Sequence, residues 1–304
     1  MIALEEIRQA RQRIEYAVKP TLLLSYDGFI QLKLESLQPI RSFKLRGALN
    51  AMRALPPQDV LTASAGNMGQ GVAYAARALG VKATIVVPEN APRAKVERIK
   101  ELGGEIVRVP HEVWWQTMLD RAYPGIDARF VHPVEDELVM AGNGTIGLEL
   151  HEQDKEDVET VVIPWGGGGL ATGIASALAE LRPHVRIVTA EPETAAPLAA
   201  AFAAGEPSEI QFIQSWVDGA GGRALLPGMW ERAQELVDEA VAVPLADVEE
   251  AVRLLAGRGV VAEGAGALAL AVALKRDDLC IAVVSGANID LEVYARILSP
   301  AATA

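Results

Sequence analysis

Cysteine is nearly absent: the only one, Cys280, lies inside the apolar run "LCIAVVS". Disulfide staples are therefore excluded, and the thiol reads as a small buried hydrophobe in a reducing compartment. The four histidines, at 111, 132, 151 and 184, show no ligand spacing, so they read as structural and no metal is expected. Aromatic residues make up only 5% of the chain, and no uninterrupted apolar stretch approaches the ~18 residues of a membrane span. Positive charge is in deficit: 28 Lys and Arg against 40 Asp and Glu leave −12, with no basic run. Nucleic acid and anionic membrane are poor partners for such a chain. The first segment, "MIALEEIRQARQRIEYA", mixes acids and bases where a signal peptide would be apolar, so a cytoplasmic protein is expected.

Half of the 304 residues are hydrophobic, ample for a large core. The runs "KATIVVPE", "EIVRVP", "ARFVHP", "TVVIPW", "VRIVTAE" and "LCIAVVS" have strand length, and several have no polar face. Strands buried on both sides predict a parallel sheet covered by helices, an α/β fold. Helix-period stretches separate them, among them "MGQGVAYAARALG", "GTIGLELHEQ" and "DVEEAVRLLAGRG". Asp247 and Glu250 are spaced as an Asp variant of the capping box, and Gly80, Gly103 and Gly257 are placed to close helices.

In "SFKLRGALNAM", Ala48, Met52 and Leu55 mark one face of a short helix beginning near Arg46. Lys44 stands at its entrance, where a lysine read alone would snorkel, stem on apolar surface and ammonium in water.

The segment "VVIPWGGGGLATGIASALAEL" is a buried strand, four glycines (166 to 169) and a helix. Backbone free of side chains lets several N–H groups converge beside the positive end of the helix dipole, which makes an anion cradle suited to a phosphate. It is not the nucleotide P-loop, for no Lys-Ser/Thr follows. It is not a clean dinucleotide fingerprint either, since Ala171 and Thr172 stand where the third glycine would be. Glu191 nevertheless sits where a ribose-binding acid would, so an NAD(P)-dependent oxidoreductase stays open. A second glycine-rich turn, "TASAGNMGQG", offers Ser64, Asn67 and Gln70 either as helix caps or as a carboxylate site. A third, "VVSGANID", brings Ser285 and Asn288 to the carboxyl edge of the sheet, where ligands of α/β proteins bind.

In this order and spacing, "SFKLRGA", "SAGNMGQG", "GGGGL" and "SGAN" resemble the motifs of fold-type II pyridoxal-phosphate enzymes, specifically the serine/threonine dehydratase and serine racemase family. "KLESLQP", "VPENAPRAKVERIKELGGEIV", "HPVEDELVMAGNGTIGLEL" and "VAEGAGALALA" resemble it as well, so the likeness runs from about residue 30 to 290.

The resemblance implies a tryptophan-synthase β-like architecture: a large domain of residues 1–55 and 139–304, a small inserted domain of 56–138, and pyridoxal 5'-phosphate in the cleft between them. Lys44 matches the Schiff-base lysine, and Phe43 the side chain beside the cofactor ring. Asn67 matches the partner of the ring oxygen, Gly166, Gly167, Gly168, Gly169 and Leu170 the phosphate loop, and Ser285 the group facing the pyridine nitrogen. Ser64, Ala65, Gly66, Asn67 and Met68 would hold the substrate carboxylate. A neutral hydroxyl at 285 would leave the ring nitrogen unprotonated, which suits β-elimination over long-lived carbanion chemistry. The implied activity is a deaminating dehydratase that converts L-threonine or L-serine to a 2-oxo acid and ammonia, in a homodimer. A non-catalytic cofactor-binding protein is the remaining alternative, against which Lys44, Asn67 and Ser285 all being present argues.

Departures matter too. Ala65 replaces the serine that racemases use as a second base, so racemisation is not expected. Ile40 and Arg41 replace the usual Thr-Gly, and Met68 a histidine; these motivate another β-eliminated substrate, such as 3-hydroxyaspartate or diaminopropionate. Pro197 occupies the place of the aspartate in the family's cation site, and a chain of this length has no room for a regulatory domain, so neither metal nor feedback inhibition is expected.

Overall fold

The computed structural model describes residues 1–299. Its strands are β1 (Leu23–Ser25), β2 (Ile30–Leu34), β3 (Val60–Ala63), β4 (Ala83–Pro88), β5 (Glu105–Val109), β6 (Arg129–Phe130), β7 (Thr160–Pro164), β8 (Arg186–Pro192), β9 (Glu239–Val243) and β10 (Cys280–Val284). Helices α1 (Leu4–Ile14), α2 (Lys44–Arg53), α3 (Asn67–Leu79), α4 (Arg93–Glu101), α5 (His111–Asp120) and α6 (Glu137–Gln153) lie in the first half. They are followed by α7 (Gly169–Leu181), α8 (Pro197–Ala204), α9 (Met229–Leu236), α10 (Leu245–Gly257), α11 (Gly264–Ala273) and α12 (Leu291–Leu298).

Two sheets result, in orders β1-β2-β10-β7-β8-β9 and β5-β4-β3-β6, parallel except for the β1–β2 hairpin. The two-residue period of a strand sorts the large core into two faces. Val161, Ile163, Ile281 and Val283 point into the layer formed by α1, α6 and α7, while Val162, Cys280, Ala282 and Val284 point into that of α10 and α11. The six strand-length runs named above all form strands; those of β7, β8 and β10 are buried along nearly their whole length, while those of β5 and β6 are partly exposed. No helix among the described residues is long and apolar enough to cross a membrane.

Two devices place α2 against α6, and α6 against α7. First, their backbones nearly touch: a Cβ on Gly142 would lie 2.5 Å from the Arg46 carbonyl oxygen, and one on Gly173 would lie 2.3 Å from that of Met140. Second, a fully buried charge cluster spans α2, α6 and β2. Arg46 pairs with Glu35 at 2.7 Å and Glu149 at 2.6 Å, and Lys33 reaches Glu149 at 2.5 Å. Two cations and two carboxylates are mutually compensated there, and removing one member would leave an unpaired buried charge.

Local expectations needed adjustment at three points. Helix α2 begins at Lys44, not near Arg46, because Phe43 is already in the right-handed helical region. Asp247 does not cap α10; that helix follows Pro244 with no side-chain cap, and Asp247 pairs with Lys275. Gly257 stays inside the last turn of α10, and Gly259 (φ 75°) makes the left-handed exit.

Candidate active site

Lys44, the first residue of α2, is half-buried, and its Nζ donates to the Pro133 carbonyl at 2.8 Å. Its amine also lies 5.1 Å from the centre of the Phe43 ring. Desolvation lowers the ammonium from 10.5 to about 8, so about a tenth of it is neutral at pH 7. A snorkelling lysine would keep its ammonium in water; this one is held against protein.

The loop that receives Lys44 is organised by His132. Its Nδ1 accepts the N–H groups of Val134 (3.1 Å) and Glu135 (2.8 Å), which turns the Pro133 carbonyl toward the lysine. Burial, with Arg121 and Lys44 nearby, pushes the imidazole down to about 4, so Nδ1 stays an acceptor at neutral pH.

Val134 is also the wall of the glycine turn: a Cβ on Gly167 would lie 2.5 Å from its Cγ2. Gly168, the N-cap of α7, has φ 94°, and a Cβ there would lie 2.5 Å from the Trp165 ring, so this position requires glycine on two grounds. No side chain caps α7, leaving the first N–H groups of the helix and the positive end of its dipole open to an anion.

Ser285 follows β10 and is buried, its hydroxyl 3.4 Å from the Ala265 carbonyl. Ser285 and Lys44 come together because β2 pairs with β10, and the Phe43 N–H donates to the Ser285 carbonyl at 3.1 Å.

From the other sheet, Ser64, Ala65, Gly66 and Asn67 are half-buried at the start of α3. Met68 does not share that position: its side chain is buried, 2% exposed, in the core between α2 and α3. Only its backbone remains for a ligand, so Met68 gives no side-chain reason for a different substrate. The Asn67 side chain reaches the other sheet, where Nδ2 donates to Glu263 at 2.7 Å and Oδ1 accepts from Asn288 at 2.7 Å. Glu263 gave no signal in the sequence beyond lying in "VAEGAGALALA", because its partner is 196 residues away.

Arg41 is exposed and takes φ 58°, an unusual conformation for a side-chain-bearing residue. It lines a cavity of about 830 Å³ with Gln70, Lys95, Trp216, Glu263 and Asn288. Glu191 corrects the ribose-acid expectation. It is fully buried, and its carboxylate accepts the N–H groups of Leu198 (3.3 Å) and Ala199 (2.9 Å) in the first turn of α8. Its carboxyl serves the start of α8, which removes the main argument for a dinucleotide. Among the described residues no cluster of three His, Cys, Asp or Glu side chains forms.

Residues 14–286 match the family model described as "Pyridoxal-phosphate dependent enzyme". The chain is 36% identical to the L-threonine ammonia-lyase of Thermotoga maritima, over 98% of this chain and 79% of that protein. Its fold superposes on a threonine deaminase from T.th. with TM-score 0.85 and 35% identity, covering 95% of this chain and 99% of the other. Against serine racemase from Dictyostelium discoideum the TM-score is 0.86 at 29% identity, with coverage of 95% and 99%.

Proposed function

The chain belongs to the pyridoxal-phosphate-dependent enzyme family, and from that premise we propose that it is a deaminating lyase converting L-threonine or L-serine to a 2-oxo acid and ammonia. One observation carries this reading: a half-buried lysine with a depressed pKa shares the 132–135 loop with an uncapped glycine turn. A lysine amine and a phosphate cradle on one loop are what an aldehyde-bearing phosphate ester needs, so the residues present fit pyridoxal phosphate.

When bound, pyridoxal phosphate supplies an aldehyde carbon for the amine and a ring that draws electrons from the substrate Cα. In this reading Gly166, Gly167, Gly168, Gly169 and Leu170 hold the phosphate, and Phe43 packs beside the ring. Ser285 would face the ring nitrogen with a neutral hydroxyl, and a ring left unprotonated would suit β-elimination over prolonged charge storage. The loop of Ser64, Ala65, Gly66, Asn67 and the Met68 backbone binds the substrate carboxylate. With the cofactor bound, the neutral Lys44 amine would be the base for the substrate Cα proton, and the Pro133 carbonyl would accept one of its N–H bonds. Ala65 provides no base on the opposite face, so protons are not returned there.

We further propose closure of the unit of residues 56–138 over the large sheet, a reducing cytoplasmic setting and a homodimer. Cys280, buried and unpaired, supports the compartment, and the exposed Leu22, Leu24 and Phe29 around edge strand β1 support a covering partner.

The experiment is the absorption spectrum of the protein incubated with pyridoxal phosphate, before and after L-threonine, beside Lys44→Ala. A visible band that threonine alters and the variant lacks is expected, with 2-oxobutyrate and ammonia formed in equal amounts. A protein that stays colourless sinks the proposal.

A further inference from the structure

Asn288 was visible in the sequence as a residue at the carboxyl edge of the sheet, yet the function above leaves it no task. Its surroundings impose one. The Ile40 carbonyl can only accept, and Asn288 Nδ2 lies 2.9 Å from it, so the amide nitrogen of Asn288 must be turned that way. The second hydrogen of the same nitrogen meets Asn67 Oδ1 at 2.7 Å. With its carbonyl end occupied, Asn67 turns Nδ2 to Glu263 Oε1 at 2.7 Å. One N–H of Asn67 remains. Each amide orientation follows from the one before, beginning at a backbone carbonyl that cannot flip.

Glu263 is itself confined: it is 7% exposed, and a Cβ on Gly286 would lie 2.2 Å from its Oε1. Asn67 stands at the start of α3, whereas Ile40, Glu263 and Asn288 belong to segments beside the large sheet. The relay thus crosses between the two sheets.

We propose that Asn288 and Glu263 are positioning residues that act through Asn67, fixing it as an obligate donor to the cofactor's ring oxygen. This rests on the family reading above and adds two residues to it. A donor, unlike an acceptor, favours the ionised form of that oxygen, so the relay sets the protonation balance of the bound cofactor. The charged groups facing Glu263 are Asp218 and Lys95, and burial, the largest influence, raises its carboxyl to about 7.

The test is a pH titration of the visible absorption of the holoenzyme, with thermal melting run beside it. Asn288→Ala is expected to move the midpoint between the two coloured forms up by about one pH unit, a tenfold change in that equilibrium. In an Asn67→Ala background the same substitution is expected to move it little, because the relay has lost its end. Asn288→Asp, which cannot donate to Ile40 or Asn67, should shift the midpoint too and serves if the alanine variant folds poorly. Glu263→Gln, keeping an acceptor for Asn67, should stay nearer wild type than Glu263→Ala. Equal shifts with and without Asn67, or no shift in either Asn288 variant, overturn the proposal; matching behaviour of the two Glu263 variants removes Glu263 from the relay. A wild-type protein that never acquires the band refutes the family reading instead.

Discussion

Ser42 and Gly286 meet in an isolated antiparallel bridge, 244 positions apart in the chain. The contact lies beyond the end of the parallel β2–β10 pairing and ties the residue two before Lys44 to the residue after Ser285. A lysine and a hydroxyl at opposite ends of the sequence are thereby set in one site by strand order.

The depressed Lys44 makes the apo-protein less stable than it would be with an apolar side chain. An unfolded lysine titrates at 10.5 and the folded one at about 8, so between these values the unfolded chain holds more protons and stability rises with pH. Lys44→Met should raise apo-protein stability at pH 7 by on the order of 1 kcal/mol, allowing for solvent screening. The gain should fade above pH 10.5. Urea titrations at pH 7 and pH 10.5 check this, and an equal gain at both would refute the linkage.

Gly168→Ala combines a left-handed φ of 94° with a Cβ 2.5 Å from the Trp165 ring. Strain of this kind costs about 1–3 kcal/mol, and relief by turning the backbone would spoil the cradle. The expected outcome is cofactor affinity reduced by about tenfold, since the middle of that range is near the free energy of one decade. Equilibrium dialysis of pyridoxal phosphate measures it.

Glu191 carries the opposite linkage. Burial raises its carboxyl from 4.5 to about 8, so between those values the native state holds more protons than the unfolded one, and stability falls as pH rises. Glu191→Gln loses an acceptor for one of the two N–H groups, so it should cost on the order of 1 kcal/mol at pH 5, and the difference should move in its favour by on the order of 2 kcal/mol by pH 8.5. Melting curves at the two pH values decide; a pH-independent difference would show that the carboxyl does not hold its proton.

Arg41 occupies a backbone conformation that glycine adopts without cost, φ 58°. Arg41→Gly is expected to stabilise the fold by about 1 kcal/mol. Threonine turnover should persist, because threonine has no second carboxylate for the guanidinium to pair. If Arg41 serves a second substrate carboxylate, turnover of 3-hydroxyaspartate falls in this variant while that of threonine holds; parallel changes in both remove that role.

The buried strands, the glycine turn and the ordered motifs were legible because each is local: apolar runs of strand length, four adjacent glycines, a lysine at a helix entrance. The α/β class followed from them. Met68, Glu191 and Glu263 were not legible in the same way, since what a side chain faces depends on elements far away in sequence. Met68 turned into the core because α2 packs on α3, and Glu191 was claimed by the first turn of α8.

The sequence by itself determined which residue types and backbone freedoms were available: an amine at a helix start, a turn free of side chains, a hydroxyl after the last strand. Tertiary structure decided their chemistry. Burial lowered the Lys44 ammonium, the His132 loop gave its amine a carbonyl partner, and contacts between the two sheets fixed which end of Asn67 donates. Desolvation and hydrogen-bond direction are properties of an environment, and an environment exists only once distant segments have packed.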